Sequence, residues 1–179
     1  MRVVETVTFL EMTSPQQLRQ GRRPPAPVVM DELGVASASL LRSTYDRVGA
    51  PFRWQGRRTG ADPWSVERWA ARLSQPGVHA WLARVGGEVA GMVELEVRPD
   101  GDVEIVVFGL VPEFVGKGFG AHLLTVAATL AWEAEPLDAP VRRVWLHTSS
   151  RDHPHAKRNY ERRGFRPFRT EQRRRDIVT

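Results

Sequence analysis

The chain has 179 residues, a formal charge of +5 and no cysteine. It is long enough for one domain with a sizeable core, and it excludes disulfides, thiolate nucleophiles and Cys-ligated zinc. Its 41% hydrophobic and 26% charged residues indicate a globular chain, and the absence of any run of about 18 apolar residues predicts a cytoplasmic protein without a membrane span.

The basic excess raises the question of a nucleic-acid partner. Only Lys117 and Lys157 of the 26 basic residues are lysines, an imbalance that a GC-rich coding bias explains more simply than recognition does. Single-strand binders interleave basic residues with stacking aromatic residues, and only Phe165 and Phe168 lie near the arginines at the end of the chain. We therefore expect no nucleic-acid partner and predict a solvated, partly frayed basic tail over residues 170 to 179.

The first half of the chain alternates regular and irregular segments. Val3 to Leu10 is rich in Val, Thr and Phe and predicts a strand. The proline-rich stretch Arg22 to Pro27 is expected to run extended over the surface. Ser37 to Val48 has helical spacing and predicts a serine-capped helix. Gly49 to Asp62 predicts a loop, and a second helix, capped by Asp62, is expected to run to about Leu73.

The second half predicts a hairpin followed by alternating strands and helices. Gly86 and Gly87 supply positive φ between strands at His79 to Val85 and Glu88 to Val97. The remaining predicted elements are a turn at Pro99 to Gly101, a strand from Val103 to Val111, a glycine turn at residues 115 to 120, a helix from Ala121 to Trp132, a strand from Arg142 to Thr148, a helix from Pro154 to Arg163 and a strand from Phe165 to about Arg169. This order predicts a mixed α/β sheet layered with helices.

The glycine turn, Val115-Gly-Lys-Gly-Phe-Gly120, joins a predicted strand to a predicted helix. Amides left free in the first helical turn and the positive end of the helix dipole attract anions, and glycines let a phosphate approach closely. The turn comes too late for a dinucleotide-binding fingerprint and lacks the Lys-Ser/Thr ending of a P-loop. We therefore predict a phosphorylated cofactor at this turn.

Two motifs resemble the GCN5-related N-acetyltransferase superfamily. The first is Leu110-x-Pro-x-x-Val-Gly-Lys-Gly-Phe-Gly120 followed by Ala-His-Leu-Leu, and the second is His153-Pro-His-Ala156-x-x-x-Tyr160-x-x-x-Gly164-Phe165. The resemblance covers about residues 85 to 168. It implies a single domain over residues 1 to 179 with the acyl-CoA N-acyltransferase fold, a mixed, mostly antiparallel central sheet with helices on both faces. Residues 1 to 78 would shape the acceptor side and residues 79 to 169 would bind the cofactor.

The resemblance implies acetyl-CoA as co-substrate, with its pyrophosphate on the glycine turn and its pantetheine arm lying beside the preceding strand like an added strand. The implied cofactor-binding residues are Phe108, Leu110, Val111, Val115, Gly116, Lys117, Gly118, Phe119, Gly120, Ala121 and His153. Val115 stands where the family usually has Arg or Gln, and His153 where an asparagine often binds pantetheine. We expect Val115 to weaken cofactor binding without abolishing it.

The implied chemistry starts from an acceptor amine whose pKa of about 10.4 keeps it protonated at neutral pH, so a base must remove a proton before attack on the thioester. Glu104 matches the general base of the histone-acetyltransferase branch, with Glu94 and Glu96 as substitutes, although it also fits an ordinary strand glutamate. Tyr160 matches the tyrosine that protonates the CoA sulfur in many members, although it also fits a core tyrosine. These residues predict an N-acetyltransferase acting on a small-molecule or peptide amine.

Other assignments stay open at this point. A non-catalytic acyl-CoA sensor or interaction module on the same fold is the alternative function, and a homodimer is compatible with the superfamily. Gly109 fits either a β-bulge or close packing, and His147 is either an auxiliary base or a surface histidine. Trp54, Arg57 and Arg58 form either an acceptor wall or part of a mobile loop. His147, His153 and His155 lack the spacing and acidic neighbours of a metal site, so no metal is predicted.

Overall fold

A seven-stranded sheet forms the centre of the computed structural model, which describes residues 1–54 and 64–176. The strands are β1 (Arg2–Met12), β2 (Val29–Leu33), β3 (Val78–Val85), β4 (Glu88–Val97), β5 (Asp102–Leu110), β6 (Arg143–Ser149) and β7 (Arg166–Asp176). The α-helices of the described residues are α1 (Ala38–Gly49), α2 (Val66–Leu73), α3 (Gly120–Trp132) and α4 (Ala156–Arg162). The strands lie in the order β2-β3-β4-β5-β6-β1-β7.

The sheet is mixed and mostly antiparallel, as predicted. All neighbouring strands are antiparallel except β5 and β6. Among the described residues, the parallel pairing runs only from Asp102 opposite Arg143 to Glu104 opposite Trp145. Beyond that point the two strands separate in the middle of the sheet.

Two apolar clusters cover the two faces of the sheet, because neighbouring residues of a strand point to opposite sides. Met92 belongs to the cluster that contains Leu41 and Val48 of α1 and Trp69 of α2. The next residue, Val93, belongs to the cluster built on α3, which includes Leu123, Leu124, Ala127, Ala128 and Ala131. The predicted layering of helices on both faces is therefore confirmed.

Several predicted boundaries in the first half are corrected. Val29–Leu33 is an edge strand that the sequence pattern does not predict, since its polar Asp31 and Glu32 hide the strand periodicity. Ser37 precedes α1 without a side-chain capping bond, because the chain enters the helix from a 3₁₀ turn. Ser65 caps α2 by accepting from the amide of Arg68, and the predicted cap Asp62 lies outside the described residues.

The second half follows the prediction more closely. Gly86 and Gly87 both have positive φ, as the hairpin turn requires. Helix α4 begins two residues later than predicted, at Ala156. Strand β7 continues to Asp176, because β1 offers it partners as far as Arg2. The expectation of a frayed tail is therefore wrong for residues 170 to 176, although most of their side chains are exposed.

Within the ranges 1–54 and 64–176, no helix is both long and apolar enough to cross a lipid bilayer.

Candidate functional site

The site begins where β5 leaves its neighbours. The β4–β5 register shifts between Glu94 and Leu95, which leaves Val106 as an extra, bulged residue. Gly109 pairs regularly with Met92, and a Cβ atom added to it would lie 2.3 Å from Cγ1 of Val48. Gly109 therefore serves close packing, and its interpretation as a bulge is wrong.

A cavity of about 300 Å³ lies along β5, the glycine turn and α4. It brings together nine of the predicted site residues, namely Phe108, Leu110, Val115, Gly116, Gly118, Gly120, Ala121, His153 and Tyr160. We call it the turn cavity. Three other predicted cofactor-binding residues do not line it: Val111 is fully buried, Phe119 packs its ring 5.6 Å from that of Phe114, and the Lys117 side chain is exposed.

Gly116, Gly118 and Gly120 of the glycine turn line this cavity. Gly116 and Gly118 have φ values of 75° and 89°, a conformation that favours glycine. Among the described residues, no backbone carbonyl accepts a hydrogen bond from the amides of residues 116 to 119. Phe119 precedes α3 and provides no side-chain cap, so the amides of the first helical turn are also available. This arrangement suits an anion such as a phosphate.

A second cavity of about 160 Å³ lies between the separated strands β5 and β6. We call it the strand cavity. Its lining includes Tyr45, Val106, Leu146 and His147, and it shares Trp54, Phe108, Asp152 and Tyr160 with the turn cavity. Aromatic side chains from three separate parts of the chain therefore enclose the junction between the two spaces.

A hydrogen bond between Trp54 and Asp152 spans this junction. Nε1 of Trp54 donates to Oδ1 of Asp152 at 3.0 Å. The other carboxylate oxygen accepts from the Thr148 hydroxyl at 3.0 Å and from the Ser149 amide at 2.8 Å, at the end of β6. Trp54 therefore lines both cavities, whereas Arg57 and Arg58, the other two residues of the predicted acceptor wall, lie outside the described residues.

Tyr160 stands where the two cavities meet and is 8% exposed. Its ring lies 6.1 Å from that of Phe108 and 6.3 Å from that of Phe165, both in edge-to-face arrangements. These contacts fix the ring, and the side chain belongs to both the core and the cavity lining. Tyr160 therefore packs in the core and also lines the cavities, so its position is compatible with both predicted interpretations.

Glu104 lies behind the strand cavity and lines neither space. Burial raises the pKa of Glu104, and the guanidinium of Arg98, 3.2 Å from Oε2, opposes that rise. Its other oxygen, Oε1, lies 3.7 Å from Nδ1 of His147. His147 does line the strand cavity, so this pair connects the Glu104 carboxylate to a residue of that space.

The substitute bases Glu94 and Glu96 are held elsewhere. The Nη2 atom of Arg72 lies 3.5 Å from Glu94 and 3.0 Å from Glu96. Glu94 is fully buried, and neither glutamate lines the turn cavity or the strand cavity. This pairing makes a structural role the better description of both.

Sequence reasoning missed Asp152 and Asn159 as lining residues. Nδ2 of Asn159 donates to the carbonyl of Gly120 at 3.3 Å, which ties α4 to the start of α3. For Asp152 a signal existed: a carboxylate three residues after Ser149 at a strand end often accepts from the backbone. Within the described parts of the chain, no three His, Cys, Asp or Glu residues are placed to hold a metal ion.

Comparisons with solved structures show the same fold. A GCN5-related N-acetyltransferase from Sphaerobacter thermophilus superposes with a TM-score of 0.70 at 18% identity, over 98% of this chain and 53% of that one. One from Kribbella flavida gives 0.64 at 20% identity, over 97% and 58%. The aminoglycoside acetyltransferase meta-AAC0020, from an uncultured soil metagenomic sample, gives 0.56 at 12% identity, over 75% and 86%. The chain thus spans little more than half the length of the first two.

No curated protein matches the sequence. The model of the acetyltransferase (GNAT) family matches residues 42–165, which include the glycine turn, both cavities' strands and Tyr160. Members of this family carry out acyl transfer, generally with acetyl-CoA or another acyl-CoA as donor. The protein therefore belongs to the GNAT acetyltransferase family.

Proposed function

We propose that this protein is an N-acetyltransferase that transfers the acetyl group of acetyl-CoA to a primary amine by direct attack. The observation that carries the proposal is the position of Tyr160, which lines both the turn cavity and the strand cavity. A donor held at the glycine turn and an acceptor between β5 and β6 would meet at this side chain.

The residues present fit an acyl-CoA. The amides of residues 116 to 119 and the first turn of α3 would hold its phosphates, and the apolar lining at Phe108, Leu110 and Ala156 would hold its pantetheine arm. When bound, acetyl-CoA supplies the acetyl group as a thioester. The described site therefore has an anion-binding end at the glycine turn and an apolar end along β5 and α4, in the order that this donor requires.

On the acceptor side, Glu104 is the proposed base. Because Glu104 does not line the strand cavity, the amine proton would reach its carboxylate through the imidazole of His147, whose Nδ1 faces Oε1. Arg98 holds the other carboxylate oxygen and so fixes the orientation of the group. In this proposal His147 is the auxiliary base that passes the proton on, and Glu104 is the base that accepts it.

On the donor side, Tyr160 is the proposed acid. Its ring is fixed by Phe108 and Phe165, and its hydroxyl would donate a proton to the departing thiolate. His153 lines the turn cavity, where its imidazole would contact the pantetheine arm in place of the usual asparagine.

The acceptor is proposed to be a small-molecule or peptide amine, in keeping with a cytoplasmic enzyme. A similar structure is that of an aminoglycoside acetyltransferase in complex with sisomicin, so aminoglycosides belong in the first acceptor screen. The alternative, a non-catalytic acyl-CoA sensor, draws support from the departures at Val115 and His153.

Two measurements test the proposal. The thermal midpoint is recorded with and without acetyl-CoA, since a ligand at 100 times its Kd stabilises by about 2.7 kcal/mol. Release of CoA is then followed in the presence of amine acceptors. A higher midpoint and acceptor-dependent CoA release support the enzyme, a higher midpoint without release from any amine favours the sensor, and an unchanged midpoint overturns both.

A further inference from the structure

An arginine-bearing segment packs against the glycine turn and the first turn of α3. Gly21 packs against the first turn of α3, where a Cβ atom added to it would lie 2.6 Å from the carbonyl carbon of Ala121. Four residues later, Pro25 packs on the glycine turn, with Cδ 3.6 Å from a Cβ atom added to Gly118. Arg22 and Arg23 lie between these two contacts and therefore flank the proposed phosphate seat.

Hydrogen bonds and prolines hold this segment in place. The Gly21 amide donates to the Thr125 hydroxyl in α3 at 2.9 Å, and the Arg19 amide donates to the carbonyl of Arg163 at 2.8 Å. Pro24, Pro25 and Pro27 restrict the backbone that follows. The two arginine side chains thus project from a backbone with few alternative conformations, which lowers the entropic cost of a contact with a ligand.

The guanidinium groups of Arg22 and Arg23 have no acidic partner among the residues that the structure describes. Within residues 1–54 and 64–176, neither Arg22 nor Arg23 forms an ion pair or a side-chain hydrogen bond, and both are exposed. Val115, in the glycine turn itself, is 36% exposed and apolar. The glycine turn therefore supplies backbone amides but no positive charge at Val115. The adjacent segment supplies two positive charges, on Arg22 and Arg23.

Guanidinium groups bind phosphate oxygens through paired, charge-assisted hydrogen bonds. We propose that Arg22 and Arg23 bind a phosphate group of the acyl-CoA and so provide the cationic side chain that the turn lacks at Val115. The inference rests on the proposed function and extends its site to a segment outside residues 42–165, the range that matches the family model.

The test measures the Kd of CoA and of 3′-dephospho-CoA by isothermal titration calorimetry. The Arg22→Gln/Arg23→Gln variant should bind CoA at least about tenfold more weakly than wild type, which corresponds to the loss of one charge-assisted hydrogen bond. Weaker binding of CoA alone assigns the arginines to the 3′-phosphate, and equally weaker binding of both ligands assigns them to the pyrophosphate.

Two further variants control the experiment. Arg166→Gln/Arg174→Gln removes the same charge from exposed positions of β7 and should leave both affinities unchanged. Val115→Arg added to the double variant should restore most of the affinity. Unchanged affinity in Arg22→Gln/Arg23→Gln, or an equal reduction in the β7 control, overturns the inference alone, whereas a wild-type protein that binds neither ligand overturns the proposed function with it.

Discussion

The proposed role of Tyr160 can be tested directly, because Tyr160→Phe removes the hydroxyl and keeps the ring. The ring contacts with Phe108 and Phe165 would remain, so we expect the fold and the Kd of acetyl-CoA to be unchanged. Turnover should fall by about 100-fold, the usual contribution of a positioned acid. Steady-state kinetics with an identified acceptor, alongside calorimetry with acetyl-CoA, provide the measurement. Wild-type turnover in this variant would leave Tyr160 as a packing residue only.

Glu104 predicts a pH dependence of stability. Burial raises its pKa in the folded protein, so the neutral carboxyl is favoured by folding. Its contribution to stability is present below the unfolded pKa of about 4.3 and is lost as pH rises through the higher folded pKa. Glutamine cannot ionise, so the stability of Glu104→Gln should not fall with rising pH for this reason.

The thermal midpoint of Glu104→Gln minus that of wild type should therefore increase as the pH rises from the unfolded pKa of about 4.3 through the raised folded pKa of Glu104. Glu113→Gln is the matched control, since Glu113 is an exposed glutamate paired with Arg47 at 3.5 Å, and it should show no such trend. A constant difference across this pH range for Glu104→Gln would contradict the raised pKa.

At the scale of elements, Gly109 fixes how closely α1 approaches β5. Gly109→Ala would place a Cβ atom 2.3 Å from Cγ1 of Val48, and such overpacking lowers the free energy of unfolding by about 1–3 kcal/mol. Chemical denaturation measures this change. Gly34→Ala is the control, because nothing lies within 4 Å of an added Cβ there.

The contact with Val48 can be separated from other effects by a double variant. Gly109→Ala combined with Val48→Ala should be less destabilised than the sum of the two single variants, because the smaller side chain removes the clash. Additive losses would show that the glycine is needed for a reason other than this contact.

The elements also show which features sequence alone predicts. The positive φ angles at Gly86, Gly87, Gly116 and Gly118 are local properties of glycine, and the predicted turns are confirmed there. The bulge at Val106 lies in a β-branched run that carries no signal for it. The partnership of Asp152 with Trp54 joins residues 98 positions apart, so no local pattern reveals it.

On the scale of the whole molecule, the two halves of the sheet are joined where β5 meets β6. Asp102, 9% exposed, lies 3.0 Å from Nη1 of Arg143 and 3.1 Å from Nε of Arg142. Asp102→Asn removes the charge that both guanidinium groups face, so we expect a loss of about 1–3 kcal/mol of stability. Denaturant unfolding measures it.

Asp100→Asn provides the comparison for this junction. Asp100 is an exposed carboxylate 3.8 Å from Arg142, and exposed pairs contribute less than about 1 kcal/mol. Equal effects of the two substitutions would mean that the junction depends on strand pairing rather than on the charge of Asp102.

The early end of the β5–β6 pairing gives the molecule an unusual interior. Strand edges normally lie at the outside of a sheet, where their unpaired backbone groups can bind another extended chain. Charged residues or proline at these edges prevent such pairing. Here, within the described residues, two edges face each other across a cleft walled by Trp54, Phe108 and Tyr160. In the absence of a ligand, amide protons along this cleft should therefore exchange with solvent as quickly as those at the rim of the sheet, and the middle of the protein would behave in that respect as part of its surface.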